Sequence, residues 1–300
     1  MNAPRHMGMY LDMPFETYHA VQAVSASGLR HFARSAWHYR NRVETVPTRP
    51  MLRGTLAHCA LLEPDALAGR YAVVPNNAPT RPTKRQWEAK NPSSDSVAAM
   101  AWWRDWQASI GQREIVPDED FALCREQLRA INAVPELASL LAMGHGEVSI
   151  FWLDPHTRVY CKARLDWLQV EGKTARVLEL KSTADESPGA FGRTAARMKY
   201  ELQRAHYLEA VKHGARLTPC ADNAWTWGVV TSAPPVLAVA YDLTPELIEQ
   251  ANDERAELMQ RIAWSLEHDR WPSYGEGKQS LDFPDYAKRS GEVEVSFVED

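Results

Sequence analysis

Arg164-Leu-Asp-Trp-Leu-Gln-Val-Glu-Gly-Lys-Thr-Ala-Arg-Val-Leu-Glu-Leu-Lys181 is the most informative segment of the chain. Both halves have strand-like composition, and the Gly-Lys pair at 172–173 suits a two-residue hairpin loop with glycine first. With that loop, Asp166 lies directly opposite Glu179, where paired side chains are about 4.5–5.5 Å apart. Lys181 is two residues beyond Glu179 and shares its face. The segment therefore predicts two carboxylates and a lysine on one face of a β-hairpin.

This cluster has the composition of a site for a hard divalent cation. Two close carboxylates repel each other unless a cation lies between them, and Mg²⁺ prefers carboxylate oxygens and retains several waters. Such a cation can activate a water for attack on a phosphodiester, while a lysine can stabilise charge that builds on the phosphate. The same residues also suit an exposed hairpin without a ligand, so the hairpin alone leaves both interpretations open.

Around the hairpin, the pattern predicts a single α/β domain over residues 1–280. Its helical N-terminal part extends to about residue 143 and its catalytic core covers about 144–270, while 281–300 is predicted to be a mobile acidic tail. Pro75 to Ser96 contains four prolines and is predicted to be a loop or flap. We predict helices at 25–41, 52–63, 97–110, 119–143, 188–198, 200–213 and 245–267, and strands at 147–153, 159–168, 175–181, 224–232 and 236–241.

The composition is that of an ordinary globular protein and excludes several classes. Hydrophobic residues make up 45% and charged residues 24% of the 300 residues, and no apolar run is long enough to span a membrane. Four cysteines without CxxC spacing, together with an N-terminus that lacks an apolar signal stretch, predict a reduced cytoplasmic protein. The chain has no phosphate-binding P-loop motif and no Gly-x-Ser-x-Gly elbow, which disfavours a P-loop ATPase and a serine hydrolase.

The charge balance gives only local support for a nucleic-acid partner. The net charge is −5, so there is no overall basic footprint. Residues 25–53 nevertheless contain six arginines against one acid, Glu44. This basic stretch suits either a local positive channel or a solvated helix face.

The spacing Asp166…Glu179-x-Lys181 resembles the signature of the PD-(D/E)XK nuclease superfamily. The flanking segments resemble its exodeoxyribonuclease VIII (RecE-type) branch, which occurs in phages and prophages. Besides the hairpin, they include Leu-Arg-Gly-Thr-Leu-Ala-His at 52–58 and Gln-x-x-x-Tyr at 203–207. The matching segments lie at 18–19, 25–29, 52–58, 61–64, 147–152, 161–167, 178–183 and 200–207. Each motif is short, but their collinear order over about 10–215 is specific.

The resemblance implies a restriction-endonuclease-like core, in which helices flank a central mixed β-sheet. It implies Mg²⁺ as the cofactor, with Mn²⁺ able to substitute. Without the resemblance, the histidine of the 52–58 motif also suits a core position and the acid at 147 a surface position. Arg164 flanks the acids and is a candidate phosphate contact. The implied metal ligands are His58, Glu147, Asp166 and Glu179, and the implied catalytic residues are Asp166, Glu179, Lys181, Gln203 and Tyr207.

The implied activity is metal-dependent exonuclease digestion of linear double-stranded DNA. The resemblance implies 5′→3′ polarity, which leaves 3′ overhangs for recombination by strand annealing. The implied partners are duplex DNA ends, a single-strand annealing recombinase and further copies of the chain in a tetramer or other ring. A catalytically inactive DNA- or protein-binding module with the same fold is the alternative. The iron–sulfur branch of the superfamily is excluded, since only Cys220 follows Lys181.

Overall fold

A seven-stranded mixed sheet forms the centre of the molecule. The computed structural model describes residues 6–43, 47–275, 277–278 and 280–282, so the predicted acidic tail lies almost wholly outside the described residues. The strands are β1 (Gly8–Tyr10), β2 (Tyr71–Val73), β3 (Glu114–Val116), β4 (His145–Leu153), β5 (Tyr160–Glu171), β6 (Thr174–Thr183), β7 (Thr218–Pro219), β8 (Trp225–Thr231) and β9 (Ala238–Tyr241). The order in the sheet is β1-β4-β5-β6-β8-β9, with β7 also paired to β6. β2 and β3 form a separate parallel pair.

Helices cover both sides of this sheet. They are α1 (Phe15–Ala20), α2 (Ala26–Arg34), α3 (Ala36–Arg40), α4 (Arg49–Leu62), α5 (Pro64–Arg70), α6 (Lys84–Trp87), α7 (Ser94–Ile110), α8 (Asp118–Ala133), α9 (Pro135–Leu141), α10 (Pro188–Met198), α11 (Tyr200–Glu209) and α12 (Pro245–His268). The largest core joins the sheet to α2, α11 and α12, and a second joins β6 and β8 to α4, α8 and α9. The predicted α/β fold with flanking helices and a helical N-terminal part is confirmed. None of the described helices is long and apolar enough to cross a membrane.

The hairpin register predicted from sequence is confirmed. β5 and β6 pair antiparallel from Glu171↔Thr174 to Trp167↔Leu178. Gly172 has a φ of 61°, the left-handed value that a glycine adopts at the first position of such a loop. β6 and β8 are parallel, as expected where a helical crossover connects two strands.

Several predicted helix limits are wrong, each for a local reason. The helix predicted at 25–41 is broken at Ser35, which is extended and accepts the His38 N–H on its side chain. The helix predicted at 119–143 ends before Pro135, because a proline disfavours helical geometry in the preceding residue. The last predicted turn of 200–213 is a π-helical turn at Ala210–Gly214. α4 begins at Arg49, since Pro50 fits its first turn and does not break it.

Candidate metal centre

The candidate site begins where β5 and β6 separate. Their paired ladder ends at Trp167↔Leu178, one position before Asp166 and Glu179 would face each other. The Asp166 side chain lies at this point, and its Oδ2 accepts the backbone N–H of Leu180 at 2.8 Å. The side chain is only 13% exposed. The divergence of the two strands therefore makes room for a carboxylate between them.

Glu179 carries a buried carboxylate whose two oxygens differ in their hydrogen bonding. Its Oε1 accepts hydrogen bonds from Lys181 Nζ at 2.9 Å and from Gln203 Nε2 on α11. The side chain is only 4% exposed, so water cannot readily reach its other oxygen, Oε2. This buried oxygen has no hydrogen-bond partner among the described residues. An unpartnered buried oxygen is costly. This oxygen is therefore open to a ligand that brings positive charge.

Glu147 and His58 complete the cluster from β4 and α4. Glu147 has a φ of 55°, which is uncommon for a side-chain-bearing residue, and its Oε2 accepts Arg164 Nε at 2.6 Å. His58 Nδ1 is 3.6 Å from Asp166 Oδ2. One donor atom from each of His58, Glu147 and Asp166 lies within 4.8 Å of the others. Nitrogen and oxygen donors at this separation can surround one cation.

A glycine allows α4 to approach β4 closely enough for this grouping. A Cβ on Gly146 would lie 2.4 Å from the carbonyl oxygen of Leu62, the last residue of α4. Any residue with a Cβ at this position would collide with the backbone of Leu62. Gly146 therefore lets the start of β4 lie against the end of α4, and this contact brings Glu147 beside His58.

Burial dominates the electrostatics of the cluster. It raises the pKa of Asp166 to about 7, with repulsion from Glu147 adding to it and Lys181 opposing it. It also raises the pKa of Glu179 to about 7, with repulsion from Asp166 adding to it. Burial and then Lys181 lower the pKa of His58, which favours the neutral imidazole that can bind a metal. Burial alone would lower the pKa of Lys181, but Glu179 and Asp166 raise it, so its ammonium group stays charged.

Comparison with known proteins decides the family. A family model described as "PDDEXK-like domain of unknown function (DUF3799)" matches residues 25–282. The chain belongs to this family. Among solved structures, this PDDEXK-like domain is similar to a protein titled "Putative exonuclease" from Eubacterium rectale, with 11% identity and a TM-score of 0.52. That match covers 92% of this chain and 96% of the other, and it supports the fold alone.

Two further comparisons add no argument about function. A structure titled SSO0001 matches with 17% identity and a TM-score of 0.24, covering 47% of this chain and 67% of that one. No curated protein matches this chain.

The donors of this PDDEXK-like domain fit a divalent cation. Two carboxylates and one imidazole, from Glu147, Asp166 and His58, converge, and Glu179 adds a buried Oε2 that has no partner among the described residues. Oxygen and nitrogen donors without thiolates suit Mg²⁺ or Mn²⁺ and disfavour a structural zinc site. His58, Glu147 and Asp166 are the residues whose grouped donor atoms would hold such an ion, and a ligand role for Glu179 stays a prediction.

The α11 helix brings the last two sequence-nominated residues to the site. Gln203 donates to Glu179, and Tyr207 is buried one turn further along, in hydrogen-bonding contact with Gln203. All seven nominated side chains are thus gathered at one place. Whether each performs its implied role stays a prediction.

Sequence reasoning missed the supporting contacts. The sequence makes Arg164 a candidate phosphate contact, but in the structure it pairs with Glu147 and donates from Nη1 to Ser149 Oγ at 2.6 Å and to the Met13 carbonyl at 2.9 Å. Lys181 Nζ lies 4.8 Å from the ring centre of Tyr200, a cation–π contact. The alternation of β4 and β5 could have suggested the Arg164–Ser149 pair, since these residues are paired in the register.

Proposed function

We propose that this PDDEXK-like domain is a metal-dependent exodeoxyribonuclease that hydrolyses phosphodiester bonds at the ends of linear double-stranded DNA. One observation carries the proposal: Asp166, Glu179 and Lys181 converge at the opening of one hairpin, and Glu179 leaves a buried oxygen without a partner among the described residues. The family description and the fold shared with a protein titled an exonuclease support it.

Mg²⁺ is the proposed ion, with Mn²⁺ as a substitute, held by His58, Glu147, Asp166 and Glu179. Such an ion lowers the pKa of a bound water and polarises a phosphoryl oxygen. The chain's own residues perform the remaining tasks. Gln203 and Lys181 both donate to Glu179 Oε1, which orients that carboxylate and directs Oε2 away from them.

Lys181 is the proposed group that meets the reacting phosphate. Its ammonium remains charged because Glu179 and Asp166 raise its pKa. Its remaining N–H donors are free to orient a water or to stabilise charge on the phosphate. Tyr200, beneath the ammonium, restricts its position through the cation–π contact. Arg164 acts indirectly in this scheme, because it neutralises Glu147 and fixes its orientation.

We further propose 5′→3′ polarity that leaves 3′ overhangs, a single-strand annealing recombinase as partner, and a homo-oligomeric ring such as a tetramer. These rest on the resemblance of the motifs to the exodeoxyribonuclease VIII branch. Sedimentation analysis of the full chain tests the ring, because a monomer at micromolar concentration would contradict it.

The function itself is tested with end-labelled linear duplex DNA and covalently closed circles, each with Mg²⁺ and with EDTA. We expect loss of the linear form alone, only with the metal, and loss of the 5′ label before the 3′ label. Digestion of circles would contradict the exonuclease mode. Absence of digestion by folded protein would favour the inactive binding module.

A further inference from the structure

The segment between β2 and β3 forms a separate projection, which we call the tryptophan arm (residues 74–113). β2 and β3 pair in parallel from Tyr71↔Glu114 to Val73↔Val116, so both ends of the arm are fixed at one point. Tyr71 and Val116 pack against the apolar residues of α4, the helix that carries His58. The arm is therefore attached to a helix of the candidate metal centre.

Four tryptophans lie on this arm within twenty residues of one another. Trp102 and Trp106 are stacked, with ring centres 5.8 Å apart and an angle of 14°. Trp103 is buried beneath them, with its indole N–H donating to the Pro79 carbonyl at 2.9 Å. Trp87 on α6 is 39% exposed. Trp103 thus serves as the core of the arm, while the ring of Trp87 remains available at its surface.

Arginine side chains lie over two of these four rings. Arg104 Cζ lies 5.9 Å from the ring centre of Trp87, and Arg81 Cζ lies 5.5 Å from that of Trp103. Arg85 and Lys90 are exposed and pair with no acid among the described residues. The arm holds six basic residues against three acids, whereas the whole chain has a net charge of −5. It is a positive projection on a negative protein.

We propose that the tryptophan arm is a binding site for single-stranded DNA, with an unpaired base stacked on Trp87 and the neighbouring phosphates beside Arg85, Lys90 and Arg104. Aromatic rings interleaved with cations are the combination that binds single strands without sequence preference. Single strands suit it better than the interior of a duplex, because a base that is paired and stacked on both sides presents no free face to an indole. The positive charge of the arm matches a polyanion. This site goes beyond the proposed hydrolysis, which uses none of these residues.

The direct test is binding of a fluorescent 20-nucleotide oligodeoxythymidylate, followed by anisotropy in EDTA so that cleavage plays no part. We expect Trp87→Ala to weaken binding at least about fivefold, the lower limit for loss of one stacked base. Trp87→Phe should retain most of the affinity, since it keeps an aromatic face. Trp264→Ala is the matched control: this tryptophan on α12 is 45% exposed and stacks on His268 outside the arm. Equal affinities for the wild type and Trp87→Ala would overturn the proposal.

A second variant tests the charges without disturbing the aromatic rings. Arg85→Glu combined with Lys90→Glu should reduce the steepness of the dependence of log K on log salt by about 1.4, because each lost phosphate contact contributes about 0.7 for a single strand. An unchanged slope would overturn the proposal. So would a Trp87→Ala variant that alters sedimentation of the protein but not its affinity for the oligonucleotide, which would mark a self-association surface.

These outcomes are separable from those of the digestion assay. If Trp87→Ala weakens oligonucleotide binding but the wild type digests no DNA, the single-strand site on the arm is supported and the proposed hydrolysis is contradicted. Metal-dependent digestion, together with an oligonucleotide affinity that Trp87→Ala does not change, would support the proposed hydrolysis and contradict the proposed single-strand site on the arm.

Discussion

Asp154, directly after β4, and Glu179, within β6, are both buried carboxylates of one sheet, yet their surroundings are opposite. Asp154 is 2% exposed, and its two oxygens accept from Arg255 and from the backbone and hydroxyl of Thr157. Burial alone would raise its pKa, but these donors hold the pKa below its usual value. Glu179 has one oxygen without a described partner, and burial raises its pKa to about 7. Asp154 is thus a carboxylate whose two oxygens are both hydrogen-bonded by the protein, whereas Glu179 keeps one oxygen without a partner among the described residues.

The largest effect is expected at the buried ion pair between Asp154 and Arg255. Arg255→Met leaves Asp154 buried without its cation, so the free energy of unfolding should fall by about 3–5 kcal/mol. Urea denaturation measures this. Lys199→Met is the matched control: its partner Glu254 is about one-third exposed, and such a loss costs about 1 kcal/mol or less. A similar loss of unfolding free energy in Arg255→Met and Lys199→Met would show that burial of the ion pair makes no difference to its contribution.

Around Glu179, a substitution should change the rate of DNA digestion more than the stability of the fold. Lys181→Ala removes the charged group held by Glu179, and we expect Mg²⁺-dependent digestion of linear duplex to slow by about 10²–10³-fold, as for other transition-state donors. Initial rates with end-labelled DNA measure it, with Lys199→Ala as the lysine control. A Lys181→Ala protein with wild-type rates would exclude this lysine from the reaction.

Asp166→Asn should separate stability from metal binding. Asparagine keeps a carbonyl oxygen for the Leu180 N–H and removes one of several close negative charges, so the unfolding temperature in EDTA should stay equal or rise. Saturating metal at about 100 times Kd should stabilise the wild type by about 2.7 kcal/mol and the variant far less. Thermal unfolding with and without Mg²⁺ measures both. A variant that is stabilised by metal as much as the wild type would contradict a ligand role for Asp166.

His206 extends the comparison to a buried imidazole. Its Nε2 donates toward the carbonyls of Val24 and Lys162, its Nδ1 has no described partner, and burial lowers its pKa to about 3. In the unfolded chain this imidazole binds a proton below about pH 6.5, whereas in the folded protein it stays neutral until about pH 3. Its contribution to the free energy of unfolding is therefore complete above about pH 6.5 and is lost progressively as the pH falls toward 3. The contribution lost between pH 7.5 and 5 is about 2 kcal/mol.

The measurement for His206 is the free energy of unfolding at both pH values for the wild type and for His206→Asn. The variant should lack that part of the pH dependence, while the effects of other groups cancel in the difference. Identical pH dependence in both proteins would show that this imidazole does not remain neutral in the fold.

Local signals explain what the sequence could predict. The loop glycine at 172 and the alternation around it determine the register of β5 and β6, so the relation of Asp166 to Glu179 followed from the hairpin alone. His58, Gln203 and Tyr207 came from the family resemblance, because nothing local distinguishes them from core residues.

Long-range contacts explain what it could not predict. β1 is three residues long and pairs with β4 about 140 residues later, and β2 pairs with β3 across the whole arm. The Arg164–Glu147 pair depends on the left-handed backbone at Glu147, which no local pattern signals. The break at Ser35 arises because its side chain caps the next helix, which competes with continuation of the first.

The most direct test of a metal site at Glu179 is Mn²⁺ binding measured by titration calorimetry on the wild type and on Glu179→Gln, without DNA. Glu254→Gln, at a partly exposed acid on α12 outside the cluster, is the control. We expect saturable binding to the wild type and to Glu254→Gln, and at least tenfold weaker binding to Glu179→Gln. Equal affinity in all three proteins would contradict it, because the unpartnered oxygen of Glu179 would then not be a metal ligand.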